Sequence, residues 1–313
     1  MSRVGPMPAK PKVEAKLRGS RGWFGRIPVH WCFIAPGTLY MLAITIYPVI
    51  YSASLSFTNA SLIYPDRSFV GFRNYVDVLT DPAFFGVIKN TSIFVFGSVF
   101  FQILIGLGLA MAVNAPLWGR TLVRALILLT WVVPEIIVAL IWRLMLVGDR
   151  YGIVNYALSF LKIGPIGWLT TPGLTMAVMI FVNNWRGTAF SVIMQLAALQ
   201  SVPGEMYEAA EIDGASKWKA FLHITLPMIR ATLLINLIMI TLATFNVTTI
   251  VFSLTGGGPG RSTEVLALRM YNTAFKDLNV GAASAISMIM FSFNIVFTLL
   301  YIKFLRRGEE TLV

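Results

Sequence analysis

The chain has 313 residues, 57% of them hydrophobic and 12% charged, with a mean hydropathy of +0.74. A soluble domain carries about 25% charged residues, so half that share, gathered outside long apolar runs, excludes a soluble protein and predicts an all-α, multi-pass membrane protein in a lipid bilayer. The net charge of +11 does not call for nucleic acid, because excess Lys and Arg collect on the cytoplasmic side of membrane proteins; no nucleic-acid partner is expected.

Residues 1–30 carry Arg3, Lys10, Lys12, Lys16, Arg18, Arg21 and Arg26 against the single Glu14, with Pro6, Pro8 and Pro11 opposing regular structure. They read as a basic cytoplasmic tail. The apolar run that follows is too long for a cleaved leader and lacks a small-residue cleavage site. The lone Cys32 excludes an internal disulfide and a cysteine-built zinc site.

Six segments are long enough to cross a hydrocarbon layer about 30 Å thick. They lie near 31–55, 90–114, 121–147, 174–199, 229–253 and 281–304. Pro36, Pro48 and Pro134 fall within or near helix ends, where kinks are tolerated if neighbours satisfy the freed backbone groups. The domain division is a tail over 1–30, a six-helix domain over 31–304 and a cytoplasmic tail over 305–313.

The loops set the orientation. With the N-terminus inside, the cytoplasmic side holds the tail cations plus Arg120, Arg124, Lys217, Lys219, Arg230, Lys303, Arg306 and Arg307. The outer side holds fewer: Arg67, Arg73, Lys89, Arg143, Arg150, Lys162, Arg261, Arg269 and Lys276, partly offset by acids. This imbalance predicts both termini inside. Short helices are expected in the outer loops near Asn74–Leu79 and Tyr151–Leu161. The glycine run Thr255–Gly260 lacks the following Lys-Ser/Thr pair of a phosphate loop, and no Walker A string occurs anywhere, so the chain is not expected to hydrolyse ATP.

The cytoplasmic loop 201–228 is polar. Pro203 and Glu205 read as a helix start and Asp213-Gly214 as its stop. A second helical piece runs from Lys217 to Ile224 and leads to Pro227. Such a knob suits docking on another protein; a plain solvated loop is the alternative.

Ionisable residues inside spans are costly and usually face protein or water. Glu135 in the third span and Arg186 in the fourth are expected to pair. Asn183, Arg186, Gly187 and Phe190 follow i, i+3, i+4, i+7 spacing and share one helix face. Thr241, Thr244 and Thr248 share a face of the fifth span, with Asn246 close by. Together these supply the hydrogen-bonding groups and aromatic wall a sugar needs, though helix packing through small and polar residues explains each one separately. His30 and His223 have no second His or carboxylate at ligand spacing, so no metal site is expected. No catalytic residues are expected.

The string Glu208-Ala209-Ala210, then Asp213-Gly214-Ala215, Ile224 and Leu226-Pro227 resembles the EAA loop of the permease subunits of binding-protein-dependent ABC importers. Phe69-Val70-Gly71-Phe72-Arg73-Asn74-Tyr75, Lys89-Asn90-Thr91 and Leu254–Pro259 resemble the sugar-importing branch, and within it the first membrane subunit of the maltose or glycerol-phosphate type. The similarity runs from about residue 31 to the end. It implies a type I ABC importer permease fold and a place in the bacterial inner membrane. It implies that Glu208, Ala209, Ala210, Asp213, Gly214, Ile224, Leu226 and Pro227 couple the chain to an ATPase. It also implies that residues on the spans flanking the loop contact solute, with Asn183 and Gly187 at matching positions. The implied partners are a second, related permease in a hetero-dimer, two ATP-binding subunits that hold ATP and Mg, and an extracytoplasmic solute-binding protein; this chain itself would hold no cofactor. The rival reading is an ion-coupled secondary transporter, which predicts internal repeats and paired broken helices and leaves the EAA string unexplained.

Overall fold

A computed structural model describes residues 29–64, 67–116 and 118–309, with side chains at 29–32 and 304–309 excepted. The basic tail to residue 28 and the last four residues lie outside the described residues, as do the side chains of His30 and Cys32. The chain divides at Ile50 into two units. In the first, the described part is the beginning of helix α1 (Val29–Ser56), which contains Pro36 and Pro48. The second unit holds everything from Tyr51 onward.

Long apolar stretches become long helices because the intrahelical bonds satisfy every backbone group without water. α2 (Arg73–Thr80) and α3 (Pro82–Asn114) come first. Asp81 caps α3 by accepting from the Ala83 N–H, with Pro82 in the first turn. Next are α4 (Arg120–Val132), α5 (Glu135–Met145), the short α6 (Ile153–Ser159) and the 27-residue α7 (Leu174–Gln200). After the loop helices α8 (Gly204–Ile212) and α9 (Lys217–Ala220) come α10 (Leu226–Phe245), α11 (Thr249–Leu254), α12 (Leu266–Phe275) and α13 (Val280–Glu309). Among the described residues the only β pairing is two isolated antiparallel bridges.

Among the described residues, four helical stretches are long and apolar enough to cross a bilayer: Phe33–Ser56, Pro82–Asn114, Lys217–Phe245 and Val280–Lys303. A fifth arises if α4 and α5 count as one span. The segment 121–147, expected as one kinked helix, is instead two helices, since α4 and α5 meet at 98°. Pro134 supplies no N–H and drives Val133 into extended backbone (ψ 129°), so the helix stops and restarts at Glu135. The segment 229–253 is also broken. Asn246 donates its side-chain amide to the Leu242 carbonyl, and α10 stops at Phe245. The stretch 254–280, expected as an outer loop, contains α12.

The core lies between α3, α7, α10 and the α11–α13 region. Phe94, Met179, Val182, Ile250, Leu266, Leu268 and Ile286 are fully buried there. A second cluster of Ala110, Val113, Val192, Leu199 and Ile229 packs towards the α8 end. Small residues bring α3 and α7 together: a Cβ on Gly106 would meet Ser191 Cβ at 2.8 Å. The outer faces of the helices are apolar too, with Phe96, Phe100, Leu104, Leu126 and Leu129 exposed. Apolar surface on this scale suits lipid or a partner chain rather than water.

The motifs at 69–75, 89–91 and 254–259 prove to be mutual tethers. Asn74 donates to the Ser56 and Thr58 carbonyls. Asn90 donates to the Arg261 and Glu264 carbonyls, and Thr91 accepts from the Leu266 N–H. The glycine turn closes on itself through Thr263, which donates to the Gly258 carbonyl at 2.6 Å. Arg269 bridges Asp81 at 2.8 Å and Glu264 at 3.7 Å, and Arg261 holds Glu264 at 2.9 Å.

Candidate functional site

A cavity of about 250 Å³ opens between α3, α4, α5, α7 and α10. α7 contributes Asn183, Arg186, Gly187 and Phe190, the residues that share one face by spacing. α10 contributes Thr244. Glu135 enters from the first turn of α5, where the helix dipole favours a carboxylate. Arg186 Nη1 lies 2.9 Å from Glu135 Oε1, and its Nε points to the Val133 carbonyl at 3.4 Å. That carbonyl is left over by the break before Pro134, so the bend and the half-buried arginine satisfy one another.

The other expected path residues lie outside this wall. Thr241 bonds the Leu237 carbonyl and the Tyr301 hydroxyl. Asn246 lines a separate hollow with Asn294. Thr248 sits past the end of α10, at the cap of α11, so the seven-residue spacing from Thr241 does not describe one helix face. Sequence reasoning missed Gln102 and Trp131. Gln102 Nε2 donates to the Gly187 carbonyl at 2.7 Å. The rings of Trp131 and Phe190 lie 6.1 Å apart. Gln102 had a legible signal, as a lone amide in the apolar run from Ile93 to Val113; Trp131 had none.

The second region is the loop between α7 and α10. α8 contains no buried residue. Glu208, Ala209, Asp213 and Gly214 are exposed, and Ala210 is half-buried. The helix ends in a Schellman turn: Gly214 takes φ +72°, its N–H bonds the Glu211 carbonyl, and the Ala215 N–H bonds the Ala210 carbonyl. Ile212 is 86% exposed, and Trp218, stacked on Phe221, is also open. From Phe221 to Thr225 the helix widens to π geometry, with the Leu226 N–H reaching the Phe221 carbonyl. Pro227 accounts for the widening, since its ring would otherwise strike the carbonyl four residues back. Ile224, Leu226 and Pro227 are half-buried at this junction. Tyr207 of α8 bonds Thr225 at 2.8 Å, fixing the loop helix to the base of α10.

Residues 102–307 match the family model described as the binding-protein-dependent transport system inner membrane component. The trehalose/maltose transport system permease protein MalF of Thermococcus litoralis is 37% identical over 276 residues, covering 87% of this chain and 92% of that one. In fold, the chain resembles a crystal structure of a bacterial ABC transporter involved in the import of the acidic polysaccharide alginate. The TM-score is 0.77 at 24% identity, over 89% of this chain and 95% of that one. A second structure, of the bacterial alginate ABC transporter in complex with an alginate pentasaccharide-bound periplasmic protein, gives the same score and identity, over 89% of this chain and 94% of that one. The chain therefore belongs to the inner membrane components of binding-protein-dependent transport systems.

Proposed function

We propose that this chain is one permease subunit of an ATP-driven importer that takes up a sugar or sugar derivative handed over by a solute-binding protein. The observation that carries this reading is that α7 and α10 do two jobs. They line the polar and aromatic cavity, and they are the two helices joined by the exposed α8–α9 segment. A push on α8 thus reaches the cavity wall through two continuous helices.

In this reading two ATP-binding subunits, which hold ATP and Mg, grip the α8–α9 knob through Glu208, Ala209, Ala210, Asp213 and Gly214, while Ile224, Leu226 and Pro227 form the stiff junction into α10. ATP binding closes the ATPases, and the knob carries that movement into α7 and α10. The cavity then opens to the outer side, where the binding protein releases solute; hydrolysis resets the inward state. The two states must differ in their affinity for nucleotide-bound partner. This chain supplies no nucleotide chemistry. A second, related permease completes the pathway. The six-span count is reached by adding α7 and the bent α4–α5 pair to the four apolar stretches, with both termini in the cytoplasm of a bacterial cell, the protein in its inner membrane, and tails before residue 31 and after 304. The relatives' names leave the solute open, since they include both trehalose/maltose and an acidic polysaccharide.

The test is ATPase activity of the purified complex with its binding protein. Gly214→Pro, which cannot form the Schellman turn, should abolish solute-stimulated hydrolysis without removing the chain from the membrane. An ion-coupled secondary transporter predicts instead that no ATPase copurifies.

A further inference from the structure

We infer that the cavity admits an uncharged glycoside and that Glu135 is the residue that turns anionic sugars away. This rests on the reading of the cavity as the solute path. Among the described residues lining the cavity, Glu135 and Arg186 are the only charged side chains, and they are joined at 2.9 Å. The wall therefore sums to zero charge. Glu135 matches the charge of Arg186, and the Val133 carbonyl takes a further one of its donors before any solute arrives.

The side chains of Arg186 and Glu135 remain 23% and 32% exposed. The pair is thus within reach of a bound molecule rather than sealed in helix packing. A sugar bearing a carboxylate or sulfonate has two ways to bind. It draws Arg186 away and leaves Glu135 uncompensated, or it lies beside a pair already closed, with Glu135 as a like charge. Both disfavour it. An uncharged sugar leaves the pair intact. The rest of the wall suits such a solute. Asn183 and Thr244 offer donors and acceptors, and Gln102, whose Nε2 is engaged by Gly187, offers Oε1 as acceptor. Trp131 and Phe190 provide flat surfaces for the C–H face of a pyranose ring.

The experiment uses the assembled complex of both permeases and the ATP-binding subunits, without binding protein, so that the cavity alone selects. Equilibrium dialysis compares a panel of neutral mono- and disaccharides with their uronic acid counterparts. The wild-type complex should hold its best neutral sugar more tightly than any uronide by about tenfold or more. Glu135→Gln frees Arg186 and should raise the ratio of uronide to neutral affinity by a similar factor, whereas Glu135→Asp should keep the wild-type ratio; thermal melting confirms that each complex is assembled. A wild-type complex that binds uronides as tightly as neutral sugars overturns the inference, as does an assembled Glu135→Gln complex with an unaltered ratio. Either result leaves the importer reading standing if ATP-driven uptake persists. Retention of no sugar by a complex active in ATP-driven uptake removes the solute-path reading and the inference with it.

Discussion

The Gln102 amide nitrogen sits 2.7 Å from the Gly187 carbonyl, and a Cβ placed on Gly187 would meet that same amide at 2.8 Å. The absence of a side chain at 187 is what lets α3 deliver a polar group into the cavity wall. Gly187→Ala should expel the Gln102 amide and destabilise the complex by about 1–3 kcal/mol, seen as a lower melting temperature together with a raised KM for uptake. Adding Gln102→Ala to Gly187→Ala should recover the melting temperature but not the KM.

Thr244 and Thr248 test where the path ends. Thr244 lines the cavity, whereas Thr248 lies beyond the last turn of α10. Thr244→Val should raise KM by about tenfold if its hydroxyl bonds solute. Thr248→Val should leave uptake kinetics near wild type. Equal effects at both positions, measured in vesicles, would mean that the cavity has been placed wrongly along α10.

Gly214 needs a left-handed backbone, at φ +72°. Gly214→Val forces a β-branched residue into that region at a cost of about 1–2 kcal/mol or more. The α8–α9 angle should change and solute-stimulated ATPase activity should fall. Gly214→Asn, which tolerates αL better, should retain most of it. Comparing the two variants separates backbone geometry from loss of a contact.

Gly281 meets the loop after α1 so closely that a Cβ there would run into the Thr58 carbonyl and crowd the Asn74 amide. Gly281→Ala should destabilise the outer loops by about 2 kcal/mol or more, visible as faster proteolysis of the 56–72 segment in right-side-out vesicles. Its effect on ATP hydrolysis without solute should be small, because the crowding falls on Thr58 and Asn74 and not on α8.

Much of this was legible from residues. Hydropathy located the long helices because lipid demands long apolar runs, and Asp213-Gly214 marked the end of α8 because few residues adopt a left-handed turn. The i, i+3, i+4, i+7 spacing gathered Asn183, Arg186, Gly187 and Phe190 on one wall because α7 is unbroken through them. Where a helix breaks, that logic stops. Thr248 shares a periodicity with Thr241 only on paper, since Asn246 satisfies the Leu242 carbonyl and ends the helix between them. Pro134 alone predicts a kink, but the 98° bend depends on what receives the freed carbonyl, and that is Arg186, 53 positions away in the chain. Gln102 and Trp131 come from helices whose facing no local pattern fixes. The motifs at Asn74 and Asn90 were recognisable as strings, while their work as tethers to Thr58 and Glu264 appeared only in three dimensions.

The central claim is that motion enters this chain from an ATP-hydrolysing partner through α8. Proteoliposomes holding both permeases and the ATP-binding subunits, with binding protein and labelled sugar on the side opposite the ATPases, measure it directly. The account predicts sugar accumulation that requires ATP on the ATPase side and is lost with Gly214→Pro. Accumulation by this chain alone, driven by an ion gradient with no ATPase present, would contradict it.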